Sequence, residues 1–459
     1  MNEDAANMAT TRVGFHILKS SARGTPSARL GTLSISGRKP IDTPNFVALT
    51  SRGIVPHLTQ DMVHKATDFG AAHMALEDFI ERKDPPIYET PSHDRPRLHD
   101  FTGFPPDRVT ILGPRRSPPV LAPAGNVADS ISVYTAFGFL SLSLADYAHA
   151  VERLQPDIAI GPADLPFMKK APNSKKLIRM AERTEEWTDV FLRKLDAVEK
   201  PQTSFFAPVL PVELPIQWDY LRYLSEDVQD SLSGLAIYDT NMLSELTSYE
   251  SLESLPKLSM EDVKSPRELL RQVSLGMDLC TVPFINNISD AGIALSFSFP
   301  APEASEVLPL GINMWSTEHQ TSLQPLVEGC SCYACTKHHR AFLQHLLNAK
   351  EMLGWNLLQA HNHHVISRFF EGIRKTLQGG SEAFEEACAQ FEKVYEPELP
   401  IGTGQRPRAR GHHFKSEADQ KPFNAPAWSN LGGEDIVSES KQNGVETPLV
   451  PTESSATPA

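Results

Sequence analysis

The apolar residues of this chain alternate between short runs and longer amphipathic stretches. Short runs rich in apolar and β-branched residues predict strands at residues 31–37, 43–50, 157–162, 205–211, 234–240 and 292–299. Between several of these runs, apolar residues recur at helical spacing in residues 177–195, 216–232 and 266–275. Because strand and helix patterns alternate over this length, the chain predicts an α/β fold with a parallel sheet.

A parallel sheet can stay open or close into a barrel, and a glycine motif helps to separate the two. The open dinucleotide-binding sheet carries G-x-G-x-x-G between a strand and a helix. The nearest candidate here is Gly402-Thr403-Gly404, which lacks the third glycine and follows no convincing strand. We therefore expect a closed (β/α)8 barrel of the TIM type.

The C-terminal part of the chain has a different pattern. Residues 336–353 and 355–377 predict a long helical pair that breaks at Gly354, and residues 382–395 predict a further helix. After Glu396, proline recurs amid Ser, Thr, Gly and Glu with almost no apolar periodicity, which is typical of disorder. We expect a barrel at residues 11–395, which includes a helical unit at 328–395, and a disordered Pro/Ser-rich tail at 396–459.

Composition and charge exclude several classes of protein. The 459 residues contain 43 Lys+Arg and 57 Asp+Glu, for a net charge of −14, which argues against a surface that wraps nucleic acid throughout. No stretch approaches the ~18 apolar residues of a membrane span, and the acidic start MNEDAANMAT lacks the apolar core of a secretory signal. Five cysteines are too few for a disulfide scaffold and suit a reducing compartment.

Three of the five cysteines, Cys330, Cys332 and Cys335, fall within six residues. Thiolates at this spacing can converge on one zinc ion, and a closed tetrahedral site needs a fourth ligand. The fourth-ligand candidates are His338, His339, His345, His361, His363 and His364. We expect His363 and His364 to lie at the surface. The alternative is a set of buried thiols beside a histidine-rich exposed helix.

The cysteine cluster resembles the zinc subdomain of the tRNA-guanine transglycosylases. That family has C-x-C-x2-C and then, 26 residues after the last cysteine, histidine followed by asparagine, as in His361-Asn362 here. Weaker similarities occur at Thr43-Pro44-Asn45-Phe46-Val47, Glu182-Arg183-Thr184 and Gly276-Met277-Asp278-Leu279. The resemblance implies a (β/α)8 barrel with an inserted zinc-binding helical unit. It also implies one structural Zn²⁺ per subunit, with Cys330, Cys332, Cys335 and His361 as ligands.

The same resemblance implies a reaction, base exchange, for which this chain lacks three parts. In the family, queuine or a precursor replaces guanine at the wobble position of tRNAs with GUN anticodons, those for aspartate, asparagine, histidine and tyrosine. The family's nucleophilic aspartate falls on Thr281 here, and its base-recognising aspartate falls on Ala163. Its S-G-G-F-Q loop, which carries another catalytic aspartate, has no counterpart, and residues 119–142 occupy that region.

An intact zinc unit without the catalytic set resembles the non-catalytic subunit of the heterodimeric eukaryotic enzyme. The resemblance implies no catalytic residues, a catalytic subunit as partner, and contact with tRNA through the complex. One alternative is an active transglycosylase that uses displaced carboxylates such as Asp278 or Asp164, and another is an unrelated zinc protein on a barrel. We expect a cytoplasmic protein. The membrane contact that we expect, if there is one, is a peripheral association with the mitochondrial outer membrane through a partner.

Overall fold

The computed structural model of the protein describes residues 13–20, 26–81, 84–91, 95–123, 125–168, 171–196 and 203–407. Most of the expected tail, from residue 408 onwards, lies outside the described residues.

The strands of this part are numbered in chain order. They are β1 (Val13–Lys19), β2 (Leu30–Ile35), β3 (Ile41–Thr43), β4 (Asn45–Leu49), β5 (Ala71–Ala75), β6 (Val109–Gly113), β7 (Ser130–Thr135), β8 (Gly138–Ser143), β9 (Ile158–Ile160), β10 (Ser204–Val209), β11 (Gly234–Ile237), β12 (Lys257–Ser259), β13 (Leu279–Thr281), β14 (Ile293–Leu295) and β15 (Gly311–Asn313).

The helices are numbered in the same way. They are α1 (Gln60–Ala66), α2 (Pro86–Glu89), α3 (Arg97–Thr102), α4 (Leu144–Leu154), α5 (Ser174–Asp196), α6 (Leu214–Glu226), α7 (Leu243–Leu246), α8 (Glu250–Glu253), α9 (Pro266–Ser274), α10 (Phe284–Asp290), α11 (Tyr333–Lys337), α12 (Arg340–Asn348), α13 (Met352–Gly379) and α14 (Ser381–Val394). None of the helices in the described ranges combines the length and the apolar character that crossing a membrane requires.

Eight strands of the described chain close into a parallel barrel. Their order around it is β4, β5, β6, β9, β10, β11, β12 and β13, and β13 pairs with β4 to complete the ring. The predicted (β/α)8 barrel is confirmed. The strands predicted at residues 43–50, 157–162, 205–211 and 234–240 are barrel strands, namely β4, β9, β10 and β11.

Two predicted strands lie outside the barrel. Residues 31–37 contain β2, which pairs antiparallel with β1 and β3, and residues 292–299 contain β14, which pairs antiparallel with β15. The barrel strands that the pattern misses are β5, β6, β12 and β13. Both β12 and β13 have only three residues, too few to show a period, and β5 consists largely of alanine, which is a weak strand former.

Apolar side chains fill the inside of the barrel, including those of Val47, Ile111 and Phe206. Leu33 and Ile41, from the antiparallel sheet of β1, β2 and β3, belong to the same buried cluster. This sheet therefore covers the N-terminal ends of the barrel strands. The C-terminal ends, where α/β barrels carry their active sites, are left for the loops that follow β4, β5, β6 and β9.

The predicted helical pair in the C-terminal part is only partly correct. Residues 336–353 contain the end of α11 and all of α12, and the chain reverses at residues 349–351, where Lys350 has a φ of +57°. Gly354, the predicted break, lies inside the first turn of α13. A Cβ at Gly354 would lie 3.2 Å from Leu346 Cβ, so this glycine permits close packing of α13 on α12.

The described chain stays against the barrel beyond the predicted boundary at residue 395. Asn313 Nδ2 donates a hydrogen bond to Thr403 Oγ1 at 3.0 Å. A Cβ on Gly404 would lie 2.0 Å from the ring of Trp315. The packed part of the chain therefore extends at least to residue 404, past the point at which the composition changes.

Candidate functional site

The helical unit brings three cysteines and one histidine together. Cys330 follows Gly329, whose φ is +74°, Cys332 is the N-cap of α11, and Cys335 lies within that helix. His361 lies in the middle of α13 and is fully buried. The Sγ atoms and the ring nitrogen of these four residues all lie within 4.8 Å of one another, so the group could hold a metal ion.

The distances within this group fit a tetrahedral ion. His361 Nδ1 lies 3.8 Å from Cys330 Sγ, 3.3 Å from Cys332 Sγ and 3.5 Å from Cys335 Sγ. With Zn–S bonds of about 2.3 Å and Zn–N bonds of about 2.0 Å, a tetrahedral site places sulfur and nitrogen about 3.6 Å apart. The four donors are therefore spaced as ligands of one zinc-sized ion would be.

The second ring nitrogen of His361 is held by the backbone. Its Nε2 lies 2.8 Å from the carbonyl oxygen of Leu295, the last residue of β14. A donor bond from Nε2–H to this oxygen leaves the lone pair of Nδ1 directed at the thiolates, as outer hydrogen bonds do for metal-ligating histidines. The neighbouring Asn362 accepts from the Leu295 amide and donates to Ile293 O, so β14 fixes the position of α13 here.

The other candidate histidines are not part of this group. His339 Nδ1 accepts from the Phe342 amide and caps α12. His363 and His364, expected at the surface, are only 1% and 9% exposed, so that expectation is wrong. His363 packs against the rings of Phe46 and Phe69, and burial lowers its pKa to about 4. A histidine-rich segment can thus be a packed face of a helix.

The C-terminal end of β13 holds Thr281. Its side chain is fully buried, and its Oγ1 donates to Ser259 O of the adjacent strand β12 at 3.0 Å. The next residue back, Cys280, is also fully buried, and burial raises the pKa of its thiol well above the usual range. Neither residue offers an ionised nucleophile at this end of the barrel.

Ala163 and Asp164 follow β9 at the same end. Asp164 accepts from Arg183 Nη1 at 2.7 Å and from Asn126 Nδ2 at 2.8 Å, and its amide donates to Thr184 Oγ1. Arg183 and Thr184 lie in α5, so the Glu182-Arg183-Thr184 segment holds the loop that follows β9. Both carboxylate oxygens of Asp164 are already hydrogen-bonded.

Asp278 lies at the opposite end of the barrel, immediately before β13. It is fully buried and accepts two hydrogen bonds from Arg29, at 2.9 Å to Nε and 2.5 Å to Nη2. The Lys257 amide donates to the same carboxylate at 2.8 Å. Because these contacts are at the N-terminal ends of β12 and β13, Asp278 serves to close that end and is remote from the loops that follow the strands.

Arg115 and Arg116, which the sequence analysis does not single out, follow β6 at the C-terminal end. Arg116 forms ion pairs with Glu77 at 2.7 Å and with Asp78 at 3.3 Å. Burial raises the pKa of Asp78 to about 6, against the lowering effect of Arg116. The sequence alone could have indicated these arginines only if β6 had been recognised as a barrel strand, because only then would they be seen to follow the C-terminal end of a strand.

The cavity at this end of the barrel is small. It measures about 20 Å³ and is lined by the residues that follow β6, β9, β11 and β12, among them Arg115, Ala163, Phe167, Tyr238 and Met260. That space is at the lower limit for a single water molecule, whereas ligand pockets are typically ~300–1,000 Å³. The end of the barrel where a substrate base would be expected is therefore filled by side chains.

Comparison with known proteins identifies relatives of this chain. Residues 25–397 match the family described as queuine tRNA-ribosyltransferase. A protein of Schizosaccharomyces pombe named queuine tRNA-ribosyltransferase accessory subunit 2 is 33% identical over 418 residues, which cover 90% of this chain and 91% of the relative. The proteins of the same name from Homo sapiens and Danio rerio are 26% and 28% identical, over 77% and 78% of this chain and 94% of each relative.

Proposed function

The chain belongs to the queuine tRNA-ribosyltransferase family, and we propose that it is the non-catalytic subunit of a heterodimeric enzyme of this kind. The complex would exchange guanine for queuine at the wobble position of tRNAs with GUN anticodons. The partner would be the catalytic subunit, and tRNA would be reached through the complex. The names of the relatives, accessory subunit 2, support this role.

The observation that carries the proposal is Thr281 at the end of β13. A covalent base exchange needs an ionised carboxylate that attacks the ribose and is later released. At this position the chain presents a hydroxyl that is fully buried and donates to Ser259 O. A threonine held in this way can neither ionise nor reach a ribose, so the catalytic set is incomplete at its central member.

The geometry does not favour the alternative of an enzyme with displaced carboxylates. Asp278 lies at the N-terminal end of the barrel and is buried in its contacts with Arg29. Asp164 lies at the correct end, but Arg183 and Asn126 occupy its two oxygens. The pocket next to it measures about 20 Å³. Neither carboxylate has access to a substrate, which supports the accessory role.

We propose that the Cys330, Cys332, Cys335 and His361 group holds one structural Zn²⁺. Three thiolates and one imidazole complete a tetrahedron and leave no open position for a water molecule, which is the arrangement of structural zinc sites. The ion would tie α11 to α13 and β14 through His361 and Leu295 O. Its contribution would be to the shape of the helical unit, and through that shape to pairing with the partner.

We also propose a cytoplasmic location, because five cysteines with three at ligand spacing suit a reducing compartment. Peripheral association with the mitochondrial outer membrane would run through the partner.

Copurification tests the proposed pairing. The full-length chain, tagged and co-expressed with a catalytic homologue, should elute with it as a one-to-one complex and should increase its base-exchange activity. Native mass spectrometry would give the stoichiometry and the zinc content together. The proposed role would be contradicted if the catalytic homologue did not bind this chain and if its exchange activity did not change when this chain was added.

A further inference from the structure

One guanidinium lies at the centre of the filled end of the barrel. Arg115 Nε donates to Ser132 O at 2.9 Å, one terminal nitrogen donates to Leu165 O at 2.6 Å, and the other donates to Asn126 Oδ1 at 2.7 Å. The Cζ atom lies 5.1 Å from the centre of the Phe167 ring. Each of the three nitrogens thus donates to one acceptor, and the guanidinium lies against an aromatic ring.

These acceptors are held in place independently of Arg115. The Ser132 amide donates to Asn126 Oδ1 at 3.0 Å, and Asn126 Nδ2 donates to Asp164 Oδ1, so the amide oxygen of Asn126 can only point inwards. The Phe167 carbonyl accepts from the Ala122 amide at 2.8 Å. The arrangement is a rigid set of acceptors beside an aromatic face, which is how proteins bind planar, donor-rich ligands.

We propose that the guanidinium of Arg115 occupies a binding site for a base at the C-terminal end of the barrel, which we call the barrel mouth. The acceptors and the aromatic ring of this site fit the N1–H and 2-amino edge of a guanine-type base. That edge of guanine carries the same N–C–N donor arrangement as a guanidinium, and both groups stack on aromatic rings. The identity of the base rests on the proposed function. The role of Arg115 would then be to keep this subunit from competing with its catalytic partner for the base.

The small size of the remaining cavity follows from this arrangement. With the side chain of Arg115 in place and Phe167 over it, about 20 Å³ is left between them, Tyr238 and Met260. Burial lowers the pKa of Arg115 only to about 10, so the guanidinium remains charged at neutral pH. The charged side chain of Arg115 therefore fills this end of the barrel at neutral pH.

Removal of the side chain should open the site. The full-length Arg115→Ala protein should bind labelled guanine in equilibrium dialysis, whereas the wild-type chain should show no measurable binding. Guanidinium ion at low millimolar concentration should raise the thermal midpoint of this variant, whereas methylammonium chloride at the same ionic strength should not, because it lacks the planar set of donors.

Arg108→Ala provides a matched control. Arg108 also donates to carbonyl oxygens, those of Val63 and Thr67, and lies 4.6 Å from the ring centre of Phe69. It lies on the α1 side of the barrel, outside the mouth. This variant should lose stability as Arg115→Ala does but should not bind guanine.

Two results would overturn the proposal: equal guanine binding by wild-type protein and Arg115→Ala, or no guanine binding by a folded Arg115→Ala. If that variant does not fold, modification of wild-type arginines by phenylglyoxal decides the question. Arg115 should stay unmodified while Arg193, which is 77% exposed, reacts, and equal rates would overturn the closed mouth. Failure of the accessory role would appear separately, as base exchange by this chain alone.

Discussion

At the scale of single residues, hydrogen bonds hold two side chains at the C-terminal end of the barrel in place. Thr281 Oγ1 donates to Ser259 O, and Asp164 is held by Arg183 and Asn126. Both side chains thus stabilise the fold at the C-terminal end of the barrel. The proposed lack of base-exchange activity therefore rests on more than one side chain.

Thr281→Asp should not restore base exchange and should destabilise the protein. The new carboxylate would face Ser259 O in a fully buried position without a donor, which costs about 3 kcal/mol. Thr281→Val, which keeps the shape and removes only the hydrogen bond, should cost about 1 kcal/mol. Urea denaturation gives both values, and exchange activity in isolated Thr281→Asp protein would contradict this account.

Stability should decrease in mild acid because His363 is buried in its neutral form. Its pKa falls from 6.5 to about 4 on folding, so between these values the unfolded state binds a proton that the folded state does not. The contribution of His363 to the free energy of unfolding is then fully present above pH 6.5. It decreases by up to about 3 kcal/mol as the pH falls to 4.

His363→Phe should reduce this dependence because it retains an aromatic ring and removes the titration. His149→Gln, at a side chain that is 56% exposed, should leave the dependence unchanged. Urea midpoints at pH 7 and pH 5 would measure all three proteins. An identical decrease in His363→Phe and wild type would show that His363 does not titrate as described.

The sequence predicted some of these residues and not others, for a physical reason. Cys330, Cys332 and Cys335 are close in space because they are close in the chain, so their spacing alone predicts a metal group. His361 lies 26 residues beyond Cys335, and its assignment depended on resemblance. Arg115 had no local signal, because its position has meaning only once β6 is known to be a barrel strand.

At the scale of elements, α13 connects the helical unit to the barrel. It carries His361 towards the cysteines and packs Phe369 and Phe370 into the main core. The sequence pattern predicts this helix but places its start after Gly354, because glycine in a helical pattern usually marks a break. Tertiary packing requires Gly354 inside the helix, and the chain reverses instead at Lys350, which adopts a positive φ without being glycine.

Gly372→Ala should be one of the most damaging substitutions in α13. A Cβ there would lie 1.7 Å from Phe299 O and 2.7 Å from Phe299 C, so the backbone of one segment must move, which costs about 3 kcal/mol or more. Gly379→Ala in the same helix meets only Ala383 Cβ, at 3.5 Å, and should be neutral or slightly stabilising. Gly372→Ala should therefore unfold at a lower temperature than Gly379→Ala. Equal thermal midpoints would contradict the packing of Gly372 against Phe299.

At the scale of the whole molecule, the barrel is covered at one end and filled at the other. The group of Cys330, Cys332, Cys335 and His361, which could hold a metal ion, lies outside the barrel. The sheet of β1, β2 and β3 covers the N-terminal ends, and side chains fill the C-terminal mouth. The alternation predicts an α/β fold with a parallel sheet, and the missing glycine motif favours the closed barrel. The antiparallel placement of β2 and β14 could not be predicted, because an apolar run does not reveal its pairing partner. Within the described residues, the C-terminal end of the barrel therefore offers no space for a ligand.

Removal of the proposed zinc ion should unfold the helical unit. It should not act on the base-exchange reaction directly, because the proposed site is structural. Chelation or Cys332→Ser should lower the thermal midpoint and weaken pairing with the partner, because zinc binding in such sites contributes several kcal/mol to folding. Cys388→Ser, outside the metal group, is the control. Elemental analysis should find one zinc per chain, and a stable protein without zinc would contradict a structural role.

Truncation should locate the end of the folded part. A chain that ends at Pro407 should keep the thermal midpoint of the full protein, because the proline-rich sequence beyond it contains few apolar residues to offset an ordering cost of roughly 1–2 kcal/mol per residue. A chain that ends at Tyr395 loses the contacts of Thr403 with Asn313 and of Gly404 with Trp315 and should be less stable. Equal stability of the two truncated chains would place the boundary at 395 after all.

The most direct test of the central claim is base exchange with labelled guanine in a tRNA anticodon stem. The chain alone should release no label, and its mixture with a catalytic homologue should be active. The mixture should stay active when this chain carries Asp164→Asn, because its carboxylates take no part in the reaction. Turnover by this chain alone, abolished by Asp164→Asn or Asp278→Asn, would contradict the account and establish an enzyme with displaced carboxylates.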